Sequence, residues 1–177
     1  TMLHARSADR GDPVQAITGI PYYYRQFGYE YALDLYGIRK VYLADIPPAA
    51  EGRQAAYHLR PATAGDTTNL LALYNRRRAD NLVWCETDEE YWRYMITADE
   101  LPPIRSADPI YSPLIDRPYM IVDSAGIVCG YVAAAPVRRG TAQAIDELEL
   151  HPHVNWQEVM PDLLRELARL AAQTPQR

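Results

Sequence analysis

Five tyrosines, Tyr22, Tyr23, Tyr24, Tyr29 and Tyr31, share residues 19–35, GIPYYYRQFGYEYALDL, with one phenylalanine, Phe27. A phenol packs like a hydrophobe and hydrogen-bonds at its tip. With a reference pKa of about 10 it stays protonated at neutral pH, and it can hand a proton to a leaving group within reach. The cluster is therefore core, interface or proton donor, and the surrounding elements must decide. A second reactive stretch is DELE, with Asp146, Glu147 and Glu149. On a strand Glu147 and Glu149 share one face, either as base and amine anchor in a cleft or as a solvated surface. His151 and His153 flank Pro152 without carboxylate or thiol support, so no metal site is expected. Cys85 and Cys129 stand in unlike contexts and read as two free thiols, the second in the core. Arg76, Arg77 and Arg78 suit the negative end of a helix.

Positioning these groups takes regular elements. Residues 1–10 read as the end of a helix, closed by Gly11 and Pro13. Residues 14–20, VQAITGI, alternate as a short strand should, and Pro21 opens a short helix that Gly28 ends. YEYALDL and RKVYLADI read as period-two strands joined at YGIR by a hairpin turn. Residues 47–56, PPAAEGRQAA, carry no periodicity and read as a linker. The next strand is YHLRPAT, followed by a helix capped at Asp66 or Thr67 that bears Leu70, Leu71 and Tyr74. Thr87 to Glu90 has capping-box spacing and opens a helix with Tyr91, Trp92, Tyr94 and Met95. A proline-rich loop, ELPPIRSADPIYSPLIDRP, leads to YMIVD and GIVCGYVAAAP, a hairpin around SAG, and then to the strand TAQAIDELEL. The last helix is capped at Asn155 and Glu158 and carries a Leu163, Leu164, Leu167, Leu170 stripe, with a kink or restart expected at Pro161.

Composition narrows the function classes. A chain of 177 residues holds one domain, or one domain and part of another. The 18 basic and 23 acidic residues leave a net charge of -5, which excludes a general phosphate-binding surface, so neither nucleic acid nor an anionic membrane is expected as partner. No apolar run approaches the ~20 residues that span a bilayer, and TMLHARSADRGD lacks a signal-peptide core; a cytoplasmic location is expected.

PYYYRQFGYE resembles the late motif of the GNAT superfamily of N-acetyltransferases, in which an aromatic pair, three residues and a Gly-aromatic step close a short helix. The matching residues are Tyr23 and Tyr24, then Arg25, Gln26 and Phe27, then Gly28 and Tyr29. YHLRPATAGDTTNLLALYN resembles the family's opening, with a strand, Arg-Pro, a turn holding Asp66 and an amphipathic helix. The closing motif precedes the opening one. The likeness is to tandem-GNAT bacterial proteins, Eis-like ones among them: residues 1–46 as the end of one GNAT domain, 47–56 as linker, and 57–177 as the front of a second, degenerate one. The count of elements also admits a composite, permuted single domain, which requires strand 14–20 to lie beside strand 142–150. Either way the expected fold class is α/β, with a mixed, mainly antiparallel sheet flanked by helices.

The resemblance implies an acetyl-CoA-dependent N-acetyltransferase. Acetyl-CoA is the co-substrate, bound in a cleft between parting strands, and a small-molecule or peptide amine attacks the thioester directly. Tyr24 matches the family's general acid, which protonates the departing thiolate. The family's pyrophosphate grip is a glycine-containing turn at a helix start. The corresponding stretch is HPHVNWQEVMPDLL, without glycine and with Trp156 and Glu158 in the turn, so no residue is assigned to cofactor binding. The alternative is a non-catalytic GNAT-like scaffold or oligomerisation module that does not bind CoA. Unpaired sheet edges in partial units also suggest a homo-oligomer.

Overall fold

The computed structural model describes residues 2–18, 20, 22–33, 39–97, 116–135 and 140–173. The chain divides into two compact units, Thr1–Gly37 and Ile38–Arg177. In the first, helix α1 (Met2–Arg10) ends at Gly11, whose φ of +73° is a left-handed geometry that glycine adopts freely. Ser7 then donates to Asp12 over 2.8 Å. The expected helix after Pro21 is a 3-10 turn, Tyr23–Phe27.

Neither strand expected in this unit forms among its described residues. Residues 14–18 and 20 are irregular, and so are 29–33. Alternation supplies side chains for one face, but a strand exists only with a partner, and Val14, Ile17 and Ile20 are exposed. Residues 34–38, with most of the expected hairpin turn, lie outside the described residues. The permuted single domain required strand 14–20 beside strand 142–150. No described residue of 14–20 lies in a strand, so this segment lends that arrangement no support.

The second unit is a mixed α/β structure around a five-stranded sheet. Its strands are β1 (Arg39–Tyr42), β2 (Tyr57–Pro61), β3 (Arg117–Asp123), β4 (Val128–Ala134) and β5 (Ala142–Leu150), in the order β1-β5-β4-β3-β2. Every pairing is antiparallel, so the described sheet is not mixed. Helices α2 (Thr67–Arg78) and α3 (Glu89–Thr97) connect β2 to β3, and α4 (Trp156–Gln173) follows β5. The expected strand 39–46 stops at Tyr42 and continues as a 3-10 turn, Leu43–Asp45. Most of the proline-rich loop lies outside the described residues.

Both faces of the sheet bury apolar side chains. On one face Ile121, Val132, Ile145, Leu148 and Leu150 meet Val159, Leu163 and Leu167 of α4. On the other, Met120, Val122 and Tyr131 meet Leu70, Leu73 and Trp92 from α2 and α3. Burying a Leu, Ile or Val side chain stabilises by roughly 1.5–3 kcal/mol, so these two layers hold the sheet between its helices. Strict alternation would put Ile145 and Leu148 on opposite faces. Pairing shifts from Ala134↔Ile145 to Ala133↔Glu147, leaving Asp146 as an extra bulge residue. The bulge restores Leu148 and Leu150 to the α4 face and puts Glu147 and Glu149 on the other.

Helix α4 does not restart at Pro161; it runs through it as one element. Proline forfeits its own N–H bond, and beyond it Leu163 and Leu167 are buried against the sheet. Residues 47–56 contain no regular element, yet they are tied to α4: Arg165 donates to the carbonyls of Pro47 and Pro48 over 3.2 and 3.4 Å.

Candidate functional site

The 3-10 turn that carries Tyr24 is held at both ends by left-handed residues. Gly28 closes it at φ +87°, its N–H donating to Arg25 O over 3.0 Å. Tyr22 opens it at φ +65°, a strained value for a residue with a Cβ, and donates its N–H to the Tyr31 hydroxyl over 2.7 Å. Arg25 lies 5.8 Å from the centre of the Tyr22 ring and 5.2 Å from that of Tyr31, and pairs with Glu30 at 3.1 Å. These contacts lock the backbone on either side of Tyr24.

The tyrosines therefore separate by role. Tyr22 and Tyr31 clamp Arg25, and Tyr23 packs edge-on against Phe27. Tyr29 and Tyr31 do not share a strand face; Tyr29 donates to Gln15 over 3.1 Å. Tyr24 is half-buried between the rings of Tyr23 and Tyr29, at 5.1 and 6.1 Å, and its hydroxyl makes no hydrogen bond among the described residues.

In the second unit the titratable groups gather on the α2 and α3 face of the sheet. The Tyr131 hydroxyl, on a fully buried ring, donates to Glu147 over 2.7 Å. Burial raises the Glu147 carboxyl, and this hydrogen bond and the charge of Arg77 only partly oppose it. Burial and the Glu147 charge also push the Tyr131 phenol up. Trp92 packs edge-on to Tyr131, Tyr91 and Tyr74, with ring centres 5.5–5.8 Å away, and its buried Nε1 has no partner among the described residues. Asp116, at the foot of β3, is hydrogen-bonded to the bulge residue Asp146. Two carboxyls bond to each other only by sharing a proton. Burial, that bond and the charges of Asp146 and Glu147 push Asp116 up to about 8.

Glu149, two residues along the same face, is neutralised by arginines: Arg76 at 3.5 Å and Arg77 at 3.3 Å. Arg76 also donates to the Leu150 carbonyl, and Arg78 stacks over Trp84 at 4.3 Å. The three arginines thus have partners within the unit. Beside them lies a cavity of about 550 Å³ whose walls include Arg39, Arg77, Leu148, Glu149, Trp156 and Met160.

The start of α4 borders this cavity. Asn155 Oδ1 accepts the Gln157 N–H over 2.9 Å, and Glu158 brings a carboxylate to the first turn. Protein groups thus fill the place where a phosphate would meet free amides and a positive helix end. His151 and His153 stack on each other with ring centres 5.6 Å apart. Among the described residues no group of three or more His, Cys, Asp or Glu side chains is placed to hold a metal ion. Cys85 is exposed and Cys129 buried, both as free thiols. No described helix is long and apolar enough to cross a membrane.

Tyr24, Glu147 and Glu149 are legible as candidates from residue type and spacing. Asp116 and Tyr131 are not: one follows a proline-rich stretch, and the other looks like a core aromatic in an apolar strand. Only the β3–β4–β5 pairing brings them to Glu147. The one usable signal is the broken alternation around Asp146. No protein-family model matches the chain, and no curated protein matches it.

Proposed function

We propose that the chain comes from a GNAT-type N-acetyltransferase that moves an acetyl group from acetyl-CoA to an amine by direct attack, with Tyr24 as general acid. The observation that carries this reading is the turn around Tyr24. Its aromatic pair, three-residue spacer and left-handed Gly28 hold a phenol whose hydroxyl bonds to no described group. In the proposed step the amine nitrogen forms a bond to the thioester carbonyl carbon, giving a tetrahedral oxyanion. Collapse breaks the C–S bond, the Tyr24 phenol protonates the departing CoA sulfur, and the proton lost by the amine returns to the tyrosinate through solvent. The order β2–α2–α3–β3–β4–β5–α4 agrees with the front of a domain of this family.

A second reading applies to residues 38–177 and rests on the start of α4. With Asn155 as cap, Glu158 in the first turn and no glycine, this unit is a GNAT-like scaffold that does not grip the CoA pyrophosphate. In that role the Tyr131–Glu147 bond satisfies a buried phenol rather than moves a proton in a reaction.

Calorimetric titration of the chain with acetyl-CoA, together with steady-state turnover, tests both. Saturable micromolar binding that survives Tyr24→Phe, with kcat lowered by about 10² or more and KM little changed, supports the general acid. Equal turnover in the two proteins removes Tyr24 from the mechanism. Binding that depends on Trp156 or Glu158 contradicts the scaffold reading.

A further inference from the structure

Strand β2 is one edge of the sheet, and an edge strand offers unpaired N–H and C=O groups to any extended chain that meets it. The direction of its amides follows from the pairing. Ala62 donates its N–H to Pro118 O over 3.0 Å, and the register runs Arg60↔Met120 and His58↔Val122. In an antiparallel ladder alternate residues point their N–H groups inward, so those of His58, Arg60 and Ala62 face β3 and those of residues 57, 59 and 61 face outward. Position 61 is a proline and has no N–H to offer.

Of the two outward donors that remain, Leu59 is met by α4, which also takes the amide of Ala56 just before the strand. Glu166 Oε2 accepts the Leu59 N–H over 3.2 Å, and Asp162 Oδ2 accepts the Ala56 N–H over 2.9 Å. Asp162 and Glu166 are four residues apart and lie on one face of the helix. Each is fixed from behind: Asp162, 2% exposed, by Arg53 and Arg165 at 3.2 Å, and Glu166 by Arg169 at 2.9 Å.

We infer that Glu166 and Pro61 together close the β2 edge at positions 59 and 61 against strand addition, and that the partner held off is a second copy of this chain pairing β2 to β2. Identical edges meet antiparallel about a twofold axis, the commonest symmetry of self-association. A lone ionic contact with α4 would not need to reach the backbone. Glu166 instead ends on an amide hydrogen that a neighbouring strand would use, and proline stands at the next outward position.

Amide exchange and sedimentation velocity test this on the full chain. In the wild-type protein the Leu59 amide should exchange as slowly as that of Arg60, although it points away from the sheet. In Glu166→Ala it should exchange at least tenfold faster, and the average mass should rise with protein concentration. Glu166→Gln keeps an acceptor oxygen, and Arg169→Ala removes the ion pair but not the acceptor; both should match the wild type. A wild-type Leu59 amide that exchanges like those of residues 53–55 overturns the inference without any variant. So does a folded Glu166→Ala protein whose mass stays at the wild-type value.

Discussion

At the scale of single residues, Asp66 locks the turn between β2 and α2. Arg60 grips both its oxygens at 2.8 and 2.7 Å, and the Thr63 N–H and hydroxyl donate to it at 2.8 Å each. The Arg60 bond comes first among the causes that hold its carboxyl down at about 2, against the cost of burial. A carboxyl lowered in the folded state adds stability that is complete above the unfolded value of about 4 and is lost as pH falls through about 2. Asp66→Ala should therefore cost about 2 kcal/mol at pH 7, allowing for solvent at the Arg60 guanidinium, and much less at pH 2. Urea unfolding at the two pH values measures the difference. Asp116 has the opposite sign. Its carboxyl is raised to about 8, so the folded chain binds a proton that the unfolded chain has lost, and stability drains away as pH rises from about 4 through 8. Asp116→Asn should be more stable than wild type at pH 9 relative to pH 5. A constant difference across that range would remove the shared proton from the account.

At the scale of elements, the clearest constraint is Gly130 in β4. A Cβ there would lie 2.2 Å from the Glu149 carbonyl oxygen and 2.9 Å from Leu150 Cα, both backbone atoms that cannot step aside. Gly130→Ala should destabilise by roughly 3 kcal/mol, at the high end for overpacking, and thermal unfolding followed by circular dichroism would show it. This need for glycine does not announce itself in GIVCGYVAAAP, because it arises from the opposite strand. Elements whose own sequence marks a buried face were legible: α2 by Leu70, α3 by Trp92, α4 by Leu163 and Leu167, and β3 and β4 by apolar runs around the SAG turn. Residues 14–20 and 29–33 show comparable alternation but gain no described strand partner. Strand pairing is a property of two segments, and one segment's pattern cannot supply it. The bulge at Asp146 was hidden for the same reason, though the parity of Ile145 against Leu148 hints at it.

For the whole molecule, the division at Gly37 and Ile38 gives β1 to the later unit, where it pairs along the first half of β5 from Tyr42↔Ala142 to Arg39↔Ile145. The segment RKVY lies within residues that resemble the end of a GNAT domain, yet it completes the sheet of the unit that resembles the front of one. How much of the candidate site the sequence disclosed follows from this arrangement. Tyr24 was legible because its motif is local, ten residues that build one turn. The Asp116–Asp146–Glu147–Tyr131 group was not, because it draws on three strands and a bulge. The central claim is that the Tyr24 phenol protonates the CoA sulfur as the thioester breaks. Its most direct test is the rate of CoA thiol release from acetyl-CoA with a panel of primary amines, comparing wild type with Tyr24→Phe. The account predicts amine-dependent, saturable release in the wild type, with kcat about 10² lower in the variant and KM nearly unchanged. Amine-dependent release at the same kcat in both proteins would contradict it.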